Sequence, residues 1–274
     1  MKYGIQISEV IKLPHDPREI CGPEWQDILP QGSIHCLYFG SEFCQDLLPT
    51  VKQLHAFCEL AKTSNLEAVL QTSMVTPGGL HRINSLLAKL TSFDLAPTVV
   101  FNDWGVLTLL RKEYPQLKVR AGRLINRALR DPRMTDQSRN PESLTEHRGA
   151  RLRSMLTRFA VSAIETDPDL EGGYLGNGSD GLERVLHLPY VYAVTGRNCL
   201  LKAEASDDNT SFTKGLGQPC ASPCLGRFHA VEREDTRQPL LRVGNTIFYE
   251  VPKDMAKTHL TGADMVVLQQ RYGS

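Results

Sequence analysis

Ser33-Ile-His-Cys-Leu-Tyr-Phe-Gly40, then Leu48–Thr63, then Glu67–Val75 together set the fold class. The first segment is a short apolar run of buried-strand type that stops at Gly40. The second carries Val51, Leu54, Phe57, Cys58 and Ala61 at helical spacing, and the third reads as the next strand. The unit then recurs. Pro77 stands where a first helical turn tolerates proline, and Leu80, Ile83, Leu86, Leu87 and Leu90 give the following helix its apolar face. Pro97–Asp103 is a strand rich in β-branched residues, Trp104–Tyr114 is a helix with Leu107, Leu109 and Leu110 inward, and Leu117–Ile125 is strand-like again. This β-α-β-α order predicts a parallel sheet with helices packed outside it, a barrel-like α/β fold of the TIM type, whole or else incomplete or distorted, with a cysteine-rich loop at its C-terminal rim.

Upstream, Tyr3–Ser8 is a first strand and Lys12–Gly32 a loop rich in Pro and Gly. Downstream, the pattern breaks after Asn126 into a basic loop longer than most connections, the kind that is usually functional or mobile. A helix over Ser143–Phe159 and a strand over Val161–Thr166 follow, with Asp167–Asp180 as an acidic, Gly-rich turn region. Leu182–Thr195 reads as one interrupted strand, and Leu240–Val251 and Ala263–Gln269 supply the last strands.

At 274 residues the chain can bury a full core, and it is expected to form a single barrel-like domain over 1–274. Its 31 basic and 31 acidic residues give no global attraction to nucleic acid or to an anionic membrane. Arg111–Arg158, however, holds thirteen Lys/Arg against five Asp/Glu, about +8, which allows a local anion site. The N-terminus reads as neither a signal nor a transit peptide, and no run approaches the roughly 18 to 20 apolar residues of a membrane span. A cytoplasmic protein is expected, and seven cysteines in that setting point to a metal or redox site rather than disulfides.

The cysteines gather late. Gly196-Arg-Asn-Cys199 is followed by a polar loop without apolar periodicity and then by Cys220-Ala-Ser-Pro-Cys224. A thiolate-bound metal would give the 197–227 loop something to fold around, because metal binding becomes folding free energy where a core is lacking. Zinc and iron–sulfur clusters both usually want four ligands. Working residues of a parallel barrel sit where strands end, and Cys44 follows one such end as Cys199 follows another. Cys44 is thus the best fourth thiolate; Cys58 lies on a helix's apolar face, Cys36 within a strand and Cys21 in an early loop. The bland alternative is that all are buried, unligated cysteines.

Other strand-end residues are substrate candidates. Asn102 and Asp103 could orient a substrate, although Asp103 more simply caps the next helix. Arg123, near Asn126, could grip a carboxylate in bidentate fashion or make a salt bridge. Arg127, Arg130 and Arg133 could form an anion-binding lid or a solvated loop. Tyr190 and Tyr192 share a face opposite in parity to His187, and all three fit a core as well as a site. No phosphate loop, His-Glu-x-x-His motif or Gly-x-Ser-x-Gly elbow occurs.

Taken in order, Tyr-Phe-Gly40 and Cys44, Val-Phe-Asn102-Asp103-Trp-Gly105, Ala-Gly122-Arg123-Leu-Ile-Asn126, and Gly-Arg197-Asn-Cys199 with Cys220-x3-Cys224 resemble peptidase family U-32, the collagenase-like group. The resemblance is strongest to its short UbiV-type members from anaerobic ubiquinone biosynthesis. It implies a [4Fe-4S] cluster on Cys44, Cys199, Cys220 and Cys224, with zinc the lesser alternative. It also implies a related partner subunit, and oxygen-independent hydroxylation with prephenate as oxygen source rather than proteolysis. The spacing from Cys199 to Cys220 is longer than in those members. The rival classes are a non-catalytic iron–sulfur or zinc subunit that docks protein or RNA, and a peptidase.

Overall fold

The computed structural model describes residues 1–9, 12–126, 130–133, 145–168, 181–199, 201–202 and 220–272. Its strands are β1 (Lys2–Gln6), β2 (Ser33–Gly40), β3 (Glu67–Gln71), β4 (Thr98–Phe101), β5 (Val119–Ala121), β6 (Ala163–Thr166), β7 (Glu183–Leu188), β8 (Tyr190–Thr195), β9 (His229–Val231), β10 (Leu240–Val243), β11 (Thr246–Glu250) and β12 (Met265–Gln269). Eight of them close a parallel barrel in the order β1-β12-β7-β6-β5-β4-β3-β2. The expected α/β barrel is therefore present and complete.

Helices α2 (Val51–Thr63), α3 (Pro77–Ser92), α4 (Trp104–Glu113) and α5 (Thr145–Arg158) cross over between successive strands from β2 to β6. A short α1 (Pro23–Gln26) lies in the first connection, and α6 (Lys253–Leu260) leads into β12. Helices α2, α3 and α4 begin where the sequence supplies a cap. Thr50 accepts from the Gln53 amide while Gln53 reaches back to the Thr50 N–H, Thr76 caps α3 just before Pro77, and Asp103 caps α4 through the Gly105 amide at 2.7 Å. The apolar helix faces, such as Leu54 and Phe57 or Ile83 and Leu87, cover the outward side chains of the strands, with Phe57 stacked on Phe39 at 4.8 Å.

Alternation along the strands sends a second set inward. Cys36, Tyr38, Val69, Val100, Val185 and Val267 belong to the interior cluster. Gly4 has to be glycine in this arrangement, since a Cβ there would come within 2.7 Å of the Tyr38 ring and 3.0 Å of the Cys36 thiol.

Two expectations need correction. Leu182–Thr195 is not one interrupted strand: it breaks at Pro189, which has no N–H to give to a ladder, so β7 stays in the barrel while β8 joins a separate sheet. Leu240–Val251 is likewise two strands, turned at Gly244 (φ +60°) and Asn245 into a hairpin. Together β8-β11-β10-β9 form a four-stranded sheet inserted between the seventh and eighth barrel strands. Cys199, Cys220 and Cys224 fall between β8 and β9 of this insertion, and residues 200 and 203–219 of the expected cysteine loop lie outside the described residues. Pro17–Cys21 and α1 also give the supposed Lys12–Gly32 loop helical turns of its own.

Candidate functional site at the barrel rim

The tip of the β10–β11 hairpin is where the distant cysteine segments meet. The Asn245 side-chain amide donates to the Phe43 carbonyl at 2.7 Å, next to Cys44, and also to the Gly196 carbonyl, three residues before Cys199. Cys224 packs on Gly244: a Cβ on that glycine would lie 3.4 Å from the Cys224 Cβ and 3.5 Å from its sulfur. A third tie is the 3.0 Å ion pair of Lys202 with Asp46, which joins the stretch after Cys199 to the stretch after Cys44. Cys220 faces the Ser222 amide at 3.4 Å.

Burial pushes the Cys44 thiol up to about 11, with Cys224 among the smaller causes, and burial followed by Cys199 and Cys220 raises Cys224. All seven cysteines are free, and among the described residues no three His, Cys, Asp or Glu side chains stand close enough to hold a metal ion. Cysteine thiols are soft donors of the kind an iron–sulfur cluster or zinc takes, and in this arrangement they are not gathered within metal-binding distance of one another. The excluded cysteines lie elsewhere: Cys21, Cys36 and Cys58 are buried in the barrel's packing.

The substrate candidates reach the rim but are engaged by the protein itself. Asn102 donates to the Thr72 carbonyl at 2.8 Å and accepts from the Leu124 amide at 2.9 Å, stitching together the ends of β3, β4 and β5. Its amide fills the space over Gly122, where a Cβ would sit 2.4 Å away. Asp103 caps α4 with one oxygen and takes the Val75 amide with the other at 3.2 Å. Arg123, 1% exposed, lies between Glu42 (2.7 and 3.0 Å) and Asp167 (2.7 Å). Arg130 pairs with the second Asp167 oxygen at 2.6 Å and also bonds Asn126. Burial by itself would push the Arg123 guanidinium down; Glu42 and Asp167 outweigh it and hold it above its ordinary value. The salt-bridge alternative for Arg123 is thus present in buried form, and its fork is committed to protein carboxylates rather than turned to the mouth. Arg133 pairs with Asp131 in the open, while Arg127 lies outside the described residues.

Tyr190 and Tyr192 share one face, as their parity requires, and pack with Phe248 in a second core that joins the inserted sheet to the rim. The Tyr192 hydroxyl donates to the Arg123 carbonyl at 3.1 Å, and the Arg130 guanidinium lies 4.3 Å from its ring centre.

Sequence reasoning passed over an interior polar chain. Glu165 on β6 accepts from the Tyr38 hydroxyl at 2.8 Å and meets His187 Nε2 at 2.9 Å, while Arg120 spans Tyr38 and Glu67 at 2.6 Å each. Burial, followed by the Glu165 charge, pushes the Tyr38 phenol well up. The available signal was parity: Glu165 shares the face of Ala163 and alternates with Ile164 on a short strand, and Ala163 belongs to the barrel interior. At the upper end of the interior, Gln6 Oε1, both amide atoms of Gln71, and Ser73 Oγ are buried without a hydrogen-bond partner. Each such atom ordinarily costs roughly 1–3 kcal/mol.

No family model matches the chain, and no curated protein matches it. Among solved structures, one described as the U32 peptidase Mk0906 is similar at 14% identity and a TM-score of 0.45, covering 98% of this chain and 92% of that one. YKL-39, solved with chitooligosaccharides (10% identity, TM-score 0.34, 98% and 92% covered), and a group IV chitinase of Ostrinia furnacalis (11%, 0.33, 85% and 83%) are more distant. At these values the likenesses bear no weight on function, and the barrel stands on its own strand pairing.

Proposed function

We propose that this chain is an iron–sulfur protein whose cluster is held by Cys44, Cys199, Cys220 and Cys224 at the hairpin tip. In this reading it serves oxygen-independent hydroxylation together with a related partner subunit. The observation that carries the reading is the convergence of three separate cysteine-bearing segments on Gly244 and Asn245. When bound, a cluster of this kind supplies one-electron redox chemistry and a Lewis-acidic iron. The chain's own contribution is to fix the tip. Asn245 and the Lys202–Asp46 pair keep the segments together, and the Arg123–Glu42–Asp167–Arg130 ion pairs stiffen the rim beneath them. A reducing cytoplasm would keep such thiols free for the metal.

The hydroxylation half, with prephenate as oxygen donor, comes from the family resemblance alone. A dianion would need cations other than Arg120, Arg123 and Arg130, each already held by a carboxylate. Calorimetric titration with prephenate checks that half separately: micromolar affinity supports it, and no heat removes prephenate. A peptidase is not favoured, since the buried His187 is paired with Glu165 rather than with a serine or cysteine. No helix among the described residues is long and apolar enough to cross a membrane.

The ligand set is tested by single Cys→Ser variants purified without oxygen. Ser at position 44, 199, 220 or 224 should lose most of the bound iron, while Cys21→Ser and Cys58→Ser keep it. Equal iron in all six would remove the assignment.

A further inference from the structure

We propose that the upper interior of the barrel, apart from the cysteine site, binds a small uncharged polyhydroxy molecule through Gln71, Ser73, Gln6 and His187. Gln71 and Ser73 are both 0% exposed, and among the described residues the two amide atoms of Gln71 and the Ser73 hydroxyl have no hydrogen-bond partner. Because both Gln71 atoms are free, exchanging its amide oxygen and nitrogen changes nothing in the argument.

Register and parity bring these groups to one place. Gln71 shares the inward face of β3 with Val69, and Gln6 shares that of β1 with Gly4, which lies against the Tyr38 ring. Tyr38 is the β2 partner of both Gln6 and Val69, and its ring meets the His187 ring at 6.0 Å, edge to face. Ser73 follows Gln71 by two residues, beyond Thr72, which is pinned to the Val100 carbonyl. His187 meets Glu165 through Nε2, and no hydrogen bond to its Nδ1 is present among the described residues. Glu165 therefore fixes the ring and leaves one nitrogen for a guest, as a carboxylate does for a working histidine.

The chemistry of the guest follows from what these groups lack. Gln6 Oε1 and Gln71 Oε1 need donors, Gln71 Nε2 needs an acceptor, and Ser73 takes either. Neighbouring hydroxyls supply both. A carboxylate or phosphate is disfavoured because Arg120, Arg123 and Arg130 are each already ion-paired. The unpaired atoms are shut off from water, so the guest is bound with its polar groups desolvated, the setting in which an unmatched group is rejected most strongly. This site does not rest on the cluster reading.

The test is saturation-transfer NMR and calorimetry with glycerol, glucose and myo-inositol, each set against glycerate and glucuronate. At least one uncharged compound should bind the wild-type chain and move the His187 ring resonances. Its affinity should fall about tenfold or more in Gln71→Leu, a loss matching one buried hydrogen-bonding group. Ser73→Ala should weaken it too, which keeps the test open if Gln71→Leu misfolds. Failure of all three compounds, unchanged affinity in a folded Gln71→Leu, or equal binding of the carboxylated counterparts would each overturn the proposal. So would a crystal structure, grown with the best-binding compound, that shows only water on Gln71. Cys224→Ser should leave binding unchanged, so the two sites fail or stand separately.

Discussion

Removing the Arg123 guanidinium would leave Glu42 and Asp167 buried in the rim with only Arg130 to balance them. Breaking a buried ion pair from one side typically costs about 3–5 kcal/mol, and Arg123→Ala should lose stability on that scale in a urea titration. Arg123→Lys should recover only part of it, because an ammonium cannot bridge two carboxylates as the fork does. A loss below about 1 kcal/mol would mean that the network is slack. The sequence shows why Arg123 was half legible. Its place near a strand end marked it as polar and positioned, but its acidic partners lie 81 and 44 residues away and nothing local announces them.

The hairpin of β10 and β11 is the element on which the proposed metal site depends. Asn245→Ala removes the side chain that joins the Phe43 and Gly196 carbonyls, while β10 and β11 keep their ladder. The expected outcome is a far-UV spectrum like that of the parent with less iron per chain after anaerobic purification; full iron retention would show that the tip holds without it. At α4, Asp103→Ala should cost about 1–2 kcal/mol, seen as a lowered thermal midpoint, since the carboxylate caps the helix and also holds the Val75 amide. The barrel's strands and helices were legible because their periods repeat from Ser33 to Ile125. The inserted sheet was not, because its cues are single residues: Pro189 divides one apparent strand, and Gly244-Asn245 folds another. Both lie inside apolar runs that read as continuous.

For the whole molecule, pH dependence follows from buried thiols. Burial is the leading cause that lifts Cys21, Cys36 and Cys58 from the ordinary 9.0 to about 12. The folded chain keeps protons that the unfolded chain gives up, so this stabilisation is complete below about pH 9 and is lost as pH rises through about 12. Urea midpoints should fall steadily over that range, whereas a midpoint that rises would reverse the sign. The α/β barrel was foreseeable from element order, though not its completeness, and the insertion whose hairpin ties together the segments around Cys44, Cys199 and Cys224 emerges only in three dimensions. The central claim is tested most directly by metal analysis of the anaerobically purified chain. The account predicts about four irons and four sulfides per chain, with a broad absorption near roughly 400 nm; one zinc and no iron would contradict it.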